Sequence, residues 1–479
     1  MGRVHAKARC TDKGIFLREK EYPAQCKKIF TFELPNKNQG TLPLPYFFGD
    51  VDMRIRTIQV EEKVPFLQGI PLSLQHLFAM FGASILVPTL FQINPAIVLL
   101  MNGIGTLLYL FICKGKAPAY LGSSFAFLSP VLAVLGTNKV LWPGNYSYAL
   151  GGFIASGFVF IAVALLIGKW GPRWINTVLP PATMGPIVAL IGLELAKVAT
   201  RMAGFTADAT GAYDTRAIFV ALSTLAVITL GAVIFRGFAA VIALLIGIVT
   251  GYLIAIPLGM VHFAPVSSAS LFAMPTFYSP HFNLNAILSI LPASLVVITE
   301  HIGHLVVTGK IIERDLMRDP GLQRSLLGDG ISTVLSGFCG SVPTTTYGEN
   351  IGVMAITRVY SVWVIGGAAV LSVVLAFSGT LSALIQSIPA PVMGGVCILL
   401  FGVIAASGIR MLVEAKVDYS KPVNLSLTAI VLIVGISEVA VKLGNVELKG
   451  MALATVVGML LSLFFHVLKN LGLLNEQNR

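Results

Sequence analysis

Apolar runs long enough to cross a bilayer follow one another from residue 66 to residue 468. A helix rises about 1.5 Å per residue, so a hydrocarbon core about 30 Å thick requires roughly 20 predominantly apolar residues. Such runs lie near 66–92, 95–113, 118–135, 148–168, 178–197, 216–235, 238–261, 285–308, 325–341, 342–357, 359–377, 380–406, 423–440 and 450–468. The pattern therefore predicts an all-α polytopic membrane protein with 14 transmembrane segments. The run at 342–357 is the irregular member, since it begins with polar residues and is short before Arg358; without it the count is thirteen.

Two motifs point to an internal repeat. Pro180-Pro-Ala-Thr-Met184-Gly185 opens the fifth segment and Pro389-Ala-Pro-Val-Met393-Gly394 opens the twelfth, seven segments later. An odd number of spans per repeat gives two halves of opposite orientation, the inverted-repeat plan of secondary transporters. The halves are expected at 66–261 and 285–468, with tails at 1–65 and 469–479. The third segment (Pro118-Ala-Tyr-Leu-Gly-Ser-Ser-Phe-Ala) and the tenth (Val342-Pro-Thr-Thr-Thr-Tyr-Gly-Glu-Asn) also correspond, and both begin with residues poorly suited to a helix.

Length decides what those two segments do. A helix from Glu349 to Arg358 rises only about 14 Å, half of the hydrocarbon core. Extended chain at about 3.3 Å per residue over Val342–Gly348 supplies the remainder, and Thr344, Thr345, Thr346 and Tyr347 favour it. Short strands before half-helices are thus expected in both segments, the first near Tyr120–Ser124. Non-helical backbone at that depth survives only when buried in protein or lining a cavity, so a binding site is expected where the half-helices begin.

Composition sharpens this picture. Only 11% of the 479 residues are charged while 56% are hydrophobic, against about 25% charged in soluble domains. The net charge of +11 does not indicate nucleic-acid binding, because the basic residues are scattered between apolar runs. It indicates topology: with the N-terminus inside, 27 of the 33 Lys and Arg residues fall on the cytoplasmic side and six outside. Residues 1–65 hold 12 of them and lack the apolar core of a signal peptide, so the first span is expected to direct insertion. Residues 1–52, with fifteen charges and no long apolar run, read either as a regulatory tail or as an upstream extension with Met53 as the start. Cys10, Cys26, Cys113, Cys339 and Cys397 show no metal-ligand or disulfide spacing. Nucleotide-binding and metalloprotease motifs are missing from the sequence, so no catalytic residues, metal or cofactor are expected.

Ionisable residues within spans are functional candidates by default. Glu300 lies ten residues before Lys310, which places it about 15 Å deep. His304 follows one turn later on the same face, and Glu349 reaches a similar depth counted from Arg358. A carboxylate there is costly to keep charged, and a histidine beside it offers a second proton site near neutral pH. His301 points to another face and reads as structural, while Asp329 between Gly328 and Gly330 reads as either structural or functional. Glu194 and Glu438, near span ends, are expected to reach water. Gln75 and His76 are expected to support the site. Gly151, Gly152, Ala155 and Gly157 form a small-residue stripe suited to helix contact.

The stretches PLSLQHLFAMFGA (71–83), AYLGSSFAF (119–127), ITEHIGHLVV (298–307) and TYGENIGVMAITRVYS (346–361), with Asn350, Gly352, Thr357 and Arg358 in signature spacing, resemble the nucleobase/ascorbate transporter family. The similarity covers about residues 66–470 and is greatest to its bacterial uracil:proton symporter branch. The resemblance implies a 14-segment inverted repeat in which a core domain carries substrate against a gate domain in the cytoplasmic membrane. It also implies homodimerisation through the gate domain. Carried onto this chain, it implies substrate contacts from Glu300 and Glu349, backbone N–H groups of Phe125 and Gly348 facing the base, and Phe125 and Tyr347 flanking it. His304 and Glu300 would couple the proton, with Ser124 and Asn350 in support. An uncharged residue is the family expectation at Asp329, and residues 1–52 lie outside the family pattern. Uracil alternates carbonyl acceptors with ring N–H donors, which such a site complements. Competing readings are another nucleobase symporter for xanthine or a related base, an anion exchanger of the same fold, and a membrane enzyme using Glu300 and His304 as acid and base.

Overall fold

The computed structural model describes residues 57–474 apart from 137, 208–210, 438 and 444–445. The readings of residues 1–52 and Glu438, and the last five residues of the C-terminal tail, lie outside the described residues. Helices α1 (Phe66–Phe91) and α2 (Pro95–Ile112) lead into strand β1 (Leu121–Ser123), a 3-10 turn (Phe125–Phe127) and the short helix α3 (Leu128–Leu135). Next come α4 (Trp142–Trp170), α5 (Pro181–Glu194), α6 (Ala196–Met202), α7 (Thr215–Ile234) and α8 (Ala243–Ala255). Then α9 (Leu284–Ile311) and α10 (Leu322–Cys339) precede strand β2 (Thr344–Thr346) and α11 (Gly348–Thr357). The chain continues through α12 (Val362–Ala376), α13 (Gly379–Gln386), α14 (Ala390–Glu414), α15 (Pro422–Ile436), a hairpin of β3 (Ala440–Leu443) and β4 (Val446–Lys449), and α16 (Gly450–Asn470).

Among the described residues, eight helical stretches are long and apolar enough to cross a membrane, and shorter apolar helices accompany them. Large apolar side chains such as Leu230, Val233, Ile433 and Val467 face outward, which water would penalise and lipid does not. Two differences from the sequence-based expectation have local causes. The run expected at 380–406 is two helices, because Pro389 disfavours helical backbone at Ile388 and itself starts α14 from an extended conformation. Residues 440–449, expected as the end of a span and a loop, pair as β3 and β4 with Lys442 opposite Glu447. Their alternation of apolar and charged residues matches the two-residue period of a strand.

Glycines set the closest helix approaches. A side chain at Gly157 of α4 would strike the backbone of Gly330 in α10, and one at Gly185 of α5 would strike that of Gly408 in α14. The small-residue stripe is therefore a packing device, as small residues are in membrane helices generally. Two packing groups result: α1, α2, α4, α9, α10, α11 and α12 with the two broken segments, and α5, α7, α8, α14, α15 and α16, joined more sparsely where α9 meets α16 and α1 meets α8.

At the end of the bundle that carries Lys114, Arg314 and Arg358, the segment before α1 is bound edge-on. The Ile58 N–H donates to the Arg358 carbonyl at 3.0 Å, and the N–H groups of Tyr360 and Val362 donate to the carbonyls of Ile58 and Val60 at 2.9 Å each. Val60 is fully buried. The Arg314 guanidinium donates to both oxygens of Glu61, which holds that carboxyl below its usual range. Lys63 sits over the Trp363 ring, and Lys116 pairs with Asp319 at 2.6 Å.

Candidate substrate site where two broken segments cross

Strands β1 and β2 pair antiparallel in the register Leu121–Thr346, Gly122–Thr345 and Ser123–Thr344. The ladder extends at both ends, as Tyr347 N–H donates to the Tyr120 carbonyl at 3.1 Å and Ser124 N–H donates to the Pro343 carbonyl at 2.9 Å. A two-stranded ribbon still has two outer edges, and unsatisfied backbone groups cost several kcal/mol each in hydrocarbon. Threonines on the flanking helices supply partners. Thr106 of α2 accepts from the Leu121 N–H at 2.9 Å, while Thr333 of α10 accepts from the Thr344 N–H at 3.3 Å and donates to its carbonyl at 3.1 Å. Each broken segment is thus held by its strand partner inside and a hydroxyl outside.

Immediately after the strands, the chain turns helical at Phe125 and at Gly348. Neither start carries a side-chain cap, so the first backbone donors of both helices face the crossing with the positive end of the helix dipole. Gly122 leaves room for the Tyr347 ring, which packs against it, and the Tyr347 hydroxyl donates to the Ser123 carbonyl at 3.0 Å. The rings of Phe125 and Tyr347 lie within 5° of parallel with centroids 6.3 Å apart. Phe401 of α14 meets Phe125 edge-on at 6.4 Å.

The acidic residues lie on elements that meet at this crossing. Glu349 occupies the first turn of α11, and Glu300 comes from α9, which packs against α11. One carboxylate oxygen of Glu300, Oε2, is buried and has no hydrogen-bond partner among the described residues. His304 Nδ1 lies 3.2 Å from the Thr346 hydroxyl, and its Nε2 side abuts Gly348. His76 Nδ1 meets the Asn350 side-chain oxygen at 2.8 Å, which ties α1 to α11. Gln75 is half-buried on the same helix, and the Ser124 hydroxyl is buried beside the crossing.

Residues 67–444 match the family model described as a permease family, Xan_ur_permease. The chain belongs to this permease family. This permease is 60% identical over 427 residues to the uracil permease of Paenibacillus larvae subsp. larvae, covering 88% of its own chain and all of that relative. It is 59% identical over 416 residues to the uracil permease of Escherichia coli K12, covering 87% and 95% of the two chains. Its fold is similar to that of the murine Solute Carrier 26 family member A9 anion transporter in the inward-facing state, with a TM-score of 0.65 at 11% identity over 85% of this chain and 69% of that one. The permease is accordingly a mostly helical, multi-pass membrane transporter and not an enzyme, which removes the acid–base reading of Glu300 and His304.

Other sequence expectations change on contact with the geometry. Glu194 does not reach for water: it is half-buried, accepts from the Ser129 hydroxyl at 2.5 Å and accepts from the Met451 N–H at the start of α16 at 3.1 Å. His301 and Asp329 are fully buried, with His301 Nε2 at 2.7 Å from the Ser325 hydroxyl and its Nδ1 at 3.3 Å from Asp329. Phe401 is unmarked in the sequence, because an aromatic residue inside an apolar run carries no distinguishing pattern. Thr106 and Thr333 are unmarked for a related reason, since a threonine within a helix usually bonds its own backbone.

Proposed function

We propose that this permease imports uracil across the cytoplasmic membrane by proton symport. The single observation that carries the substrate reading is the buried, unpartnered oxygen of Glu300 on α9, a helix that packs against both α11 and the Phe125–Phe127 turn. Uracil complements that arrangement: its ring N–H groups donate to Glu300 and Glu349, and its carbonyls accept from the backbone N–H groups near Phe125 and Gly348. Its flat ring needs about 7 Å between walls, two contacts of about 3.5 Å; the walls formed by Phe125 and Tyr347, with centroids 6.3 Å apart, then part by at least about 0.7 Å. A base without the matching donors leaves buried polar groups unpaired, which is how such sites discriminate. The names of the relatives favour uracil over xanthine as cargo. Anions would meet two carboxylates, which weighs against the activity of the solute-carrier neighbour despite its similar fold.

In this reading the chain is a 14-segment protein of two inverted seven-segment repeats, 66–261 and 285–468, with both termini cytoplasmic and the strap at residues 58–62 on that side. The first packing group, holding both broken segments and α9, forms the core domain; the second forms the gate, presenting Phe401 to Phe125. Protonation of Glu300 and His304 offsets the cost of carrying charge while the loaded core moves against the gate. Homodimerisation through the gate is part of the same proposal. Titration calorimetry of the purified protein with uracil, xanthine and sulfate tests the substrate: heat with uracil alone supports it, and heat with sulfate or with xanthine in its place refutes it.

A further inference from the structure

Behind His304 lies a set of buried polar groups that the substrate reading leaves unused. The Thr346 hydroxyl stands between two histidines, 3.2 Å from His304 Nδ1 and 3.4 Å from His301 Nδ1. His301 Nδ1 also faces Asp329 at 3.3 Å, and His301 Nε2 meets Ser325, whose hydroxyl meets that of Tyr109 at 2.7 Å. His301, Asp329, Ser325 and Tyr109 are completely shielded from solvent. Placing a histidine, a carboxylate and two hydroxyls there forfeits hydration, and packing alone gives no return for it. The titratable groups facing His301 are Asp329, Tyr109 and His304; Cys113 and Arg324 lie beyond Tyr109, and Glu300 and Glu349 lie on the substrate side.

The arrangement has a direction. Tyr109, His301, His304 and Thr346 line a small cavity of about 10 Å³ together with Ala117 and Leu316. Ala117 follows Lys114 and Lys116, and Leu316 follows Arg314, so this wall belongs to the basic end of the bundle. A cavity of about 10–15 Å³ with two or more polar partners is enough for one water. At the strand crossing, by contrast, Phe125, Tyr347 and Phe401 are buried against one another.

We infer that Asp329, His301, Thr346 and His304 form a proton relay that runs behind the substrate site, so that proton and base leave for the cytoplasm by separate routes. The inference rests on the proton-symport reading above. A proton on His304 Nδ1 passes to the Thr346 oxygen as the Thr346 hydroxyl proton passes to His301 Nδ1. The His301–Asp329 pair then holds one proton more and His304 one fewer, with no other bond changed. Asp329 is a positioning residue here, since it faces the imidazole that receives the proton and touches no substrate.

The test is made in sealed proteoliposomes with an internal pH-sensitive dye, comparing wild type with Asp329→Asn and His301→Gln. Two quantities are read: uracil-driven proton influx, and exchange of labelled for unlabelled uracil, which needs no net proton release. The relay predicts that both variants lose proton influx by about 100-fold, the low end of what a positioned proton donor contributes, while exchange stays near wild type. Thr346→Val should behave likewise and Thr346→Ser should retain influx, which keeps the test valid where the Asp329 variant fails to fold. Unchanged influx in these variants overturns the relay, and so does an equal fall of influx and exchange, which marks a structural role. Uracil uptake by wild type without any proton influx overturns the coupling reading itself and the relay with it.

Discussion

Replacing Phe125 with alanine removes one of the two parallel walls of the proposed substrate site. The rings of Phe125 and Tyr347 have centroids 6.3 Å apart at 5°; in the proposed site a base has one stacking face on each side, and the variant leaves it with one. Stacking of a base on an aromatic side chain is worth about 1–3 kcal/mol by alanine substitution, which corresponds to a rise in Kd of about 5- to 150-fold. Phe125 also meets Phe401 edge-on, a contact worth about 0.5–1.5 kcal/mol beyond its area burial, so the melting temperature in detergent should fall as well. Tyr347→Phe provides the comparison. It keeps the ring and loses the hydroxyl bond to Ser123, a net cost of about 1 kcal/mol borne by the fold more than by the ligand. Uracil titration calorimetry on both variants should therefore show a large loss for Phe125→Ala and at most a few-fold loss for Tyr347→Phe. Equal Kd for wild type and Phe125→Ala would refute the sandwich, whatever happens to stability.

Further outcomes follow from the same geometry. Glu349→Gln should weaken uracil binding by about 10- to 150-fold, since hydrogen bonds to a charged partner are worth about 1.5–3 kcal/mol; full binding in calorimetry removes Glu349 from the site. Glu194→Ala removes the acceptor for both Ser129 and the α16 N-terminus and should cost about 1–2 kcal/mol of stability, as lost helix caps do, with Glu194→Gln costing less; thermal denaturation in detergent reads both, and an unchanged midpoint for Glu194→Ala contradicts it. The Glu61–Arg314 pair gives a pH dependence of defined sign. Because Arg314 holds the Glu61 carboxyl below its ordinary value of 4.5, the pair contributes stability above that value and loses it as pH falls through the lower folded value. Glu61 is half exposed, so screening limits the effect to about 0.5 kcal/mol. Arg314→Gln should flatten that part of the stability profile between about pH 5 and 3, and an unaltered profile counts against the strap.

The broken segments are legible in the sequence because they fail a length test: neither Glu349–Arg358 nor the corresponding part of the third segment spans the hydrocarbon as helix. Threonines and glycines at 344–348 leave extended chain as the remaining solution, and β1 and β2 lie where that reasoning places them. Glu300 and Glu349 stand out in the sequence for a similar reason, since charge at that depth is expensive. Pairing between elements is what sequence does not disclose. His301 reads as structural because it faces away from His304 on α9, yet Thr346 from β2 lies within reach of both rings. Glu194 reads as a residue reaching for water because its helix ends there, and only the fold brings Ser129 and the start of α16 to it. Phe401 and the edge-capping threonines have no local signature, because their role depends on which neighbour they face. The 380–406 run reads as a single segment by hydropathy, although Pro389 and Pro391 mark the break between α13 and α14.

The central claim is that a proton gradient moves uracil through this site. The most direct measurement is uptake of labelled uracil into proteoliposomes of the purified permease, with an inward proton gradient imposed and then collapsed by an uncoupler. Accumulation above the external concentration, lost when the gradient is collapsed, is the expected result. Uptake that only equilibrates, and is the same with and without the gradient, would contradict it.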